Sequence, residues 1–162
     1  MDLQKVKATS LAATLITTGV ILKNSSEQMK NAPEFMAKLG MLCFISGWAG
    51  MAWSLSIGKD KMLNFGASAA IVSAVLLMKN KMKNKEDVPM VLPIMFALGW
   101  IALGYNMNNQ KLGLSAAALV LFSMLYLLPL QRAQGIVDGP GMPLFVVAWF
   151  LIIYSNSRKS FK

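Results

Sequence analysis

Side chains that could serve as acids, bases, nucleophiles or metal ligands are scarce in this sequence. There is no histidine, so zinc sites, haem ligation and imidazole-based catalysis lack their commonest residue. The single cysteine, Cys43, excludes an intramolecular disulfide and a cysteine-based metal site. Glu86-Asp87 is the only adjacent acidic pair, and it follows a run of lysines in a loop. We therefore expect no catalytic, cofactor-binding or metal site, and no enzymatic activity.

The residues that stand out instead are aromatic, and they recur in the motif Phe-x-x-(Gly/Ala)-Trp-x-x-x-x-(Trp/Tyr). The copies are centred on Trp48, Trp100 and Trp149, and this fixed period of about 50 residues predicts a repeat architecture. On a helix, the Phe and the first Trp lie one turn apart on one face. The small residue beside the Trp allows a neighbouring helix to approach closely. The motif residues, which we expect to pack the helices together, are Phe44, Gly47, Trp48, Trp53, Phe96, Gly99, Trp100, Tyr105, Phe145, Ala148, Trp149 and Tyr154.

The aromatic residues of the motif divide into two classes by depth. The last residue of each copy falls near the end of its helix, where Trp and Tyr commonly form a belt at the membrane interface. The first Trp of each copy sits five residues deeper, and its indole N–H needs an acceptor in a dry environment. These deeper indoles either pack between the repeats or line a narrow passage along a threefold axis, and packing is the favoured interpretation.

The motif lies in apolar stretches that could form helices long enough to cross a bilayer. Only 14% of the residues are charged, against roughly 25% in soluble domains. Long apolar stretches without charge are typical of transmembrane helices. We predict six such helices, with four spans and two buried or re-entrant segments as the alternative. The charge-free stretches run approximately over residues 8–22, 39–57, 62–78, 88–107, 112–130 and 142–154.

The fold class predicted is all-α, a multi-pass integral membrane protein built from three tandem two-helix hairpins. One membrane domain spans residues 1–162, with repeats at approximately 8–57, 62–107 and 112–155. In each repeat, a helix that begins with small residues precedes the helix that carries the motif. Gly66-Ala67-Ser68-Ala69-Ala70 resembles Gly113-Leu114-Ser115-Ala116-Ala117, and these small residues are also expected to pack against neighbouring helices.

The predicted spans contain hydroxyl and amide side chains but no charged ones. Intramembrane charges are the usual mark of proton relays, ion-coupled transporters and intramembrane catalysis, so their absence from the spans argues against all three. The polar residues include Ser54, Asn64 and Asn106, and most of the set is expected to bond to the preceding turn of the same helix.

The net charge of +9 indicates loops that face anionic lipid headgroups. In a membrane protein this interpretation is favoured over nucleic-acid binding, which we do not expect. Lys79, Lys81, Lys83 and Lys85 form the densest cluster of positive charge. The expected partners are the bilayer and other membrane or membrane-associated protein subunits.

Two functions fit these observations. The leading hypothesis is a non-catalytic structural or scaffolding subunit of a larger membrane-associated assembly, either an organelle complex or a membrane-containing virion. The alternative is a passive, homo-oligomeric channel for a small neutral solute, lined by the deeper aromatic and polar residues. A structural subunit should purify with stoichiometric partners, whereas a channel should form a symmetric homo-oligomer and conduct solute.

Overall fold

A computed structural model of the chain is helical throughout most of the residues that it describes. These are residues 3–29, 31–55, 60–134 and 141–157, with side chains described over the same ranges except 124–134 and 141–142. No strand occurs among them, which confirms the all-α prediction for this part of the chain. The helices are α1 (Leu3–Gln28), α2 (Glu34–Leu55), α3 (Lys61–Lys83), α4 (Val91–Tyr105), α5 (Gln110–Gln134) and α6 (Gly141–Ser157).

Local side-chain chemistry sets the starts of α3 and α5. The carboxylate of Asp60 accepts a hydrogen bond from the backbone N–H of Leu63 at 3.1 Å. The amide oxygen of Asn109 accepts one from the N–H of Leu112 at 3.2 Å. Asp and Asn are preferred at this position because they satisfy an N–H that has no partner within the helix. Capping by Asp60 and Asn109 therefore sets where α3 and α5 begin.

The end of α3 is fixed by a Schellman turn. The N–H of Glu86 donates to the carbonyl of Lys81 at 2.9 Å, and the N–H of Lys85 donates to that of Met82 at 3.2 Å. Lys85 has a φ of 56°, the left-handed conformation that this turn requires and that glycine usually supplies. The ammonium of Lys81 also pairs with the carboxylate of Glu86. This hydrogen bond, together with the charge of Lys81, holds the pKa of the exposed Glu86 carboxyl below its usual value.

The helices pack in chain order, and α6 returns to α1, so that the bundle closes on itself. Antiparallel packing of α1 and α2 is shown by Gly19 facing Gly40 and by Thr9 bonding Ser54. The same orientation in α3 and α4 is shown by the bond between Asn64 and Asn106. Buried side chains from all six helices form one apolar core.

Three helices, α1, α2 and α3, are long and apolar enough to cross a membrane. This finding suggests a membrane protein and supports part of the six-span prediction. The helices α4 and α6 have 15 and 17 residues, which corresponds to about 22 and 25 Å at about 1.5 Å per residue. The hydrocarbon core of a bilayer is about 30 Å thick, so these two helices are short for a span.

Close packing at small residues differs from the sequence prediction in α3. A Cβ atom on Gly66 would meet no atom within 4 Å, because Gly66 lies beside an apolar groove of about 540 Å³ between α3 and α4. Ser68 is buried whereas Ser115 is exposed. The similar segments at residues 66–70 and 113–117 therefore lie in different environments. The expectation that Gly66 packs against a neighbouring helix was wrong, because the apolar pattern alone does not set the rotation of a helix.

Candidate functional site

The three deeper tryptophans of the motif meet at the centre of the bundle. Trp48 of α2, Trp100 of α4 and Trp149 of α6 have ring centroids 5.5, 5.7 and 5.8 Å apart, which is a nearly equilateral triangle. All three side chains are buried, with exposures of 1–4%. We call this cluster the tryptophan triad. The residues that the sequence placed about 50 positions apart are therefore in mutual contact.

The small residue before each of these tryptophans lies at a helix contact or in the buried core. A Cβ on Gly47 would stand 2.7 Å from the backbone nitrogen of Ile16 in α1. A Cβ on Gly99 would stand 2.7 Å from a side-chain carbon of Ile71 in α3. The third copy has Ala148 here, which is also buried. Because α1 and α3 approach α2 and α4 so closely, the neighbouring helices hold the adjacent tryptophans in place.

A phenylalanine lies one turn before each tryptophan and packs edge-on against it. The ring centroids of Phe44 and Trp48 are 6.5 Å apart, and those of Phe96 and Trp100 are 6.3 Å apart. Phe145 and Trp149 are closer, at 5.3 Å. Such edge-to-face pairs stabilise by about 0.5–1.5 kcal/mol beyond the burial of area. The phenylalanines thus extend the aromatic core along the bundle on one side of the triad.

Aliphatic side chains follow on the other side of the triad. Met51, Leu103 and Ile152 each lie three residues after a motif tryptophan, and each is at most 1% exposed. Residues three apart on a helix share a face, so these side chains lie one turn beyond the triad. The centre of the bundle is therefore a stack of three apolar layers: the phenylalanines, the triad and these three side chains. None of these layers contains a charged side chain.

The indole N–H groups of the triad have no conventional hydrogen-bond acceptor among the described residues. The planes of Trp48 and Trp100 are inclined at 75°, and the other two pairs at 59° and 58°. Trp48 and Trp100 therefore pack edge-to-face, with the positive edge of one ring against the negative face of the other, and the other two pairs are tilted. The triad is therefore adapted to packing indoles against one another.

Polar side chains close the bundle at one end. The amide of Asn156 in α6 donates to the hydroxyl of Thr9 in α1 at 2.9 Å. That hydroxyl lies 3.3 Å from the hydroxyl of Ser54 in α2. Thr9 and Ser54 are fully buried. Because unmade hydrogen bonds are costly inside a protein, this chain of bonds fixes the last helix against the first.

Three further hydrogen bonds lie at the same end of the bundle. The amide of Asn106 donates to the side-chain oxygen of Asn64 at 2.9 Å and to the carbonyl of Asp60 at 3.1 Å. The hydroxyl of Ser155 donates to the carbonyl of Asn109 at 3.0 Å. Asn64 and Asn106 are exceptions to the expectation that most polar residues bond within their own helix, because these two side chains bond to each other across helices. The sequence contains a pattern that could have indicated these cross-helix contacts, since Asn106 and Ser155 each lie six residues after a motif tryptophan.

The last aromatic residue of each motif copy lies apart from the triad. Trp53, Tyr105 and Tyr154 are 64%, 60% and 49% exposed, respectively. Each is on the outer surface near the end of its helix, where lipid or an interface would surround it. The motif thus combines two roles, with one aromatic directed to the centre and one to the exterior.

Charged residues lie at the ends of helices, and several pair locally. Glu34 pairs with Lys38 at 2.8 Å on the surface of α2, and Glu27 pairs with Lys79 at 3.1 Å between α1 and α3. In the described ranges, no group of three or more His, Cys, Asp and Glu side chains comes together. The chemistry that this arrangement supports is packing and cross-helix hydrogen bonding.

Comparison of the chain with protein-family models, with curated proteins and with solved structures gives no match. The function must therefore be inferred from the geometry of the tryptophan triad and its surroundings.

Proposed function

We propose that the protein is a multi-pass membrane protein in which three tandem helical hairpins surround the tryptophan triad. The equivalence of the hairpins is supported by matched burial, because positions one before and three after each triad residue are all buried. The closure of α6 onto α1 supports it further. In this arrangement α2, α4 and α6 form the centre, and α1, α3 and α5 flank them.

Six crossings are compatible with the short central helices. The charge-free stretch at residues 88–107 extends beyond both ends of α4, so the apolar segment is longer than the helix itself. A bilayer also thins around a short hydrophobic segment at a cost of only fractions of a kcal/mol per Å. The outer helices α1 and α3 are long enough to define the full thickness.

We propose further that the protein acts as a non-catalytic structural subunit of a larger membrane-associated assembly. The observation that carries this proposal is the closed triad, because its buried indoles occupy the axis that a conducting path would need. An apolar constriction also resists wetting and conduction. No charged group lies in the central layers, so the interior offers packing rather than transport or catalysis.

Affinity purification from the native membrane in a mild detergent tests this function. A tag fused to the amino terminus should recover other membrane proteins in fixed stoichiometry with the tagged chain. An unrelated multi-pass protein with the same tag serves as the control for detergent-trapped contaminants. Recovery of the chain as a symmetric homo-oligomer without partners would contradict the structural-subunit proposal and favour the channel.

A further inference from the structure

Three lysines converge where the carboxyl-terminal turns of α1 and α3 meet. Glu27 of α1 forms an ion pair with Lys79 of α3 at 3.1 Å. Lys79 and Lys83 both act as like charges on the ammonium of Lys23. Because Lys79 and Lys83 are four residues apart, they lie on the same face of α3. We call Lys23, Lys79 and Lys83, together with the neighbouring Asn24, the basic junction.

The charges of the basic junction do not balance. Glu27 is the one carboxylate that acts on Lys23 together with these lysines, and it is already paired with Lys79. In the described part of the chain, Lys23 and Lys83 form no ion pair. Lys81 does not contribute, since it pairs with Glu86 in the following turn. One carboxylate, Glu27, thus faces three lysines, and the ammonium groups of Lys23 and Lys83 have no ion-pair partner among the described residues.

An unused buried hydrogen-bond donor lies at the same place. Asn24 is only 8% exposed, and its amide nitrogen has no partner among the described residues. Residues three and four apart share a helix face, so Lys23 and Asn24 both lie on the side of α1 that carries Glu27. Glu27 reaches Lys79 of α3 from that side. The free amide donor of Asn24 is therefore adjacent in the helix to the residues of the junction.

We propose that the basic junction binds a phosphate group carried by an anionic lipid headgroup. A phosphate would supply a negatively charged partner for Lys23 and Lys83. One of its oxygens would accept a hydrogen bond from the amide of Asn24. Lysine ammonium groups bind phosphate as point charges, and anionic lipids attract basic residues near the membrane surface. This inference rests on the proposed placement of the protein in a membrane.

The test measures thermal unfolding of the whole protein in nanodiscs of phosphatidylcholine, with and without phosphatidylglycerol. We expect phosphatidylglycerol to raise the Tm by several degrees. The double variant Lys23→Gln/Lys83→Gln should lose more than half of this shift. Its Tm in phosphatidylcholine alone should be unchanged or higher, because like charges have been removed. The matched control, Lys61→Gln/Lys111→Gln, removes the same charge at the opposite end and should keep the full shift.

A second variant separates hydrogen bonding from charge. Asn24→Leu leaves the net charge unchanged and removes the free donor. It should therefore reduce the shift without lowering the Tm in phosphatidylcholine. Inorganic phosphate added to phosphatidylcholine nanodiscs distinguishes the source of the anion. A shift with phosphate alone that depends on Lys23 and Lys83 would replace the lipid with a free anion and overturn the headgroup assignment.

Other outcomes would overturn the site itself. Equal losses in the junction variant and the control variant would mean that the lipid acts through general surface charge. The absence of any shift in a protein that folds in phosphatidylcholine would reject the junction and leave the membrane proposal intact. Failure of the wild-type protein to insert into either nanodisc would reject the membrane placement and the junction together.

Discussion

At the scale of single residues, the small residue before each motif tryptophan reflects a steric constraint. Gly47 is small because α1 passes against it, and a Cβ at this position would stand 2.7 Å from the backbone nitrogen of Ile16. A Cβ on Gly50, one turn further along α2, would meet only the Cβ of Ala12 at 3.6 Å, which is an ordinary contact. The two glycines look alike in the sequence, but only the first is required by close approach.

We predict that Gly47→Ala and Gly50→Ala have opposite effects. Gly47→Ala should lower the free energy of unfolding by about 1–3 kcal/mol, the typical cost of inserting a methyl group into a packed contact. Gly50→Ala should leave it unchanged or raise it by up to about 1 kcal/mol, because alanine favours a helix over glycine. Thermal unfolding in detergent measures both variants. Equal tolerance at the two positions would show that α1 and α2 are farther apart than described.

The repeating aromatic motif made it possible to group the three triad residues from the sequence. The rotation of each outer helix about its axis could not be predicted in this way. Three aromatic copies at matched spacing predicted a common environment for Trp48, Trp100 and Trp149. The small residues of α3 carry no comparable landmark, since Gly, Ala and Ser suit a lipid-facing surface as well as a helix contact. The position of Gly66 beside an open groove therefore emerges only from the structure.

At the scale of elements, the bundle is held in register by polar contacts at one end. Thr9 and Asn156 are 147 residues apart in sequence and join the first helix to the last. A single sequence does not pair such distant residues, because each amide and hydroxyl has several possible partners. Their bond gives these two buried polar side chains a partner at the end of the bundle.

A double-mutant cycle tests this closure. Thr9→Val should destabilise the protein by about 1–3 kcal/mol, because it removes the acceptor of the buried Asn156 amide. Asn156→Leu should cost about 0.5–1.5 kcal/mol, because the Thr9 hydroxyl keeps its bond to the carbonyl of Lys5. The double variant should lose less than the sum, with a coupling energy of about 0.5–3 kcal/mol. Thr14→Val is the control, because the exposed Thr14 hydroxyl bonds the carbonyl of Ser10 in its own helix. Additive effects of Thr9 and Asn156 would contradict the ring closure.

At the scale of the whole molecule, the tryptophans occupy two distinct environments. Trp53 is exposed on the outer surface, whereas the triad is enclosed by the surrounding helices. The chain has four tryptophans, so one residue should account for nearly all contact between indole and lipid. The separation between the exposed and the buried tryptophans can therefore be tested by fluorescence quenching.

We predict that brominated lipids quench the wild-type protein mainly through Trp53. In liposomes that contain the Trp53→Phe variant, the remaining fluorescence should be nearly insensitive to bromination of the acyl chains. Tyr105→Phe serves as the control, because it alters a comparable exposed aromatic without changing any indole. Strong quenching that persists in Trp53→Phe would mean that lipid reaches the triad and that the bundle is open.

Solute permeability shows whether the centre of the molecule is closed. Purified protein reconstituted into liposomes should not raise their permeability to water, urea or glycerol in stopped-flow light scattering. Protein-free liposomes and liposomes that contain a known solute channel give the two reference rates. We predict rates equal to those of protein-free liposomes. Fast, saturable solute entry that is altered by Trp48→Phe or Trp100→Phe would contradict the closed triad and identify the protein as a channel.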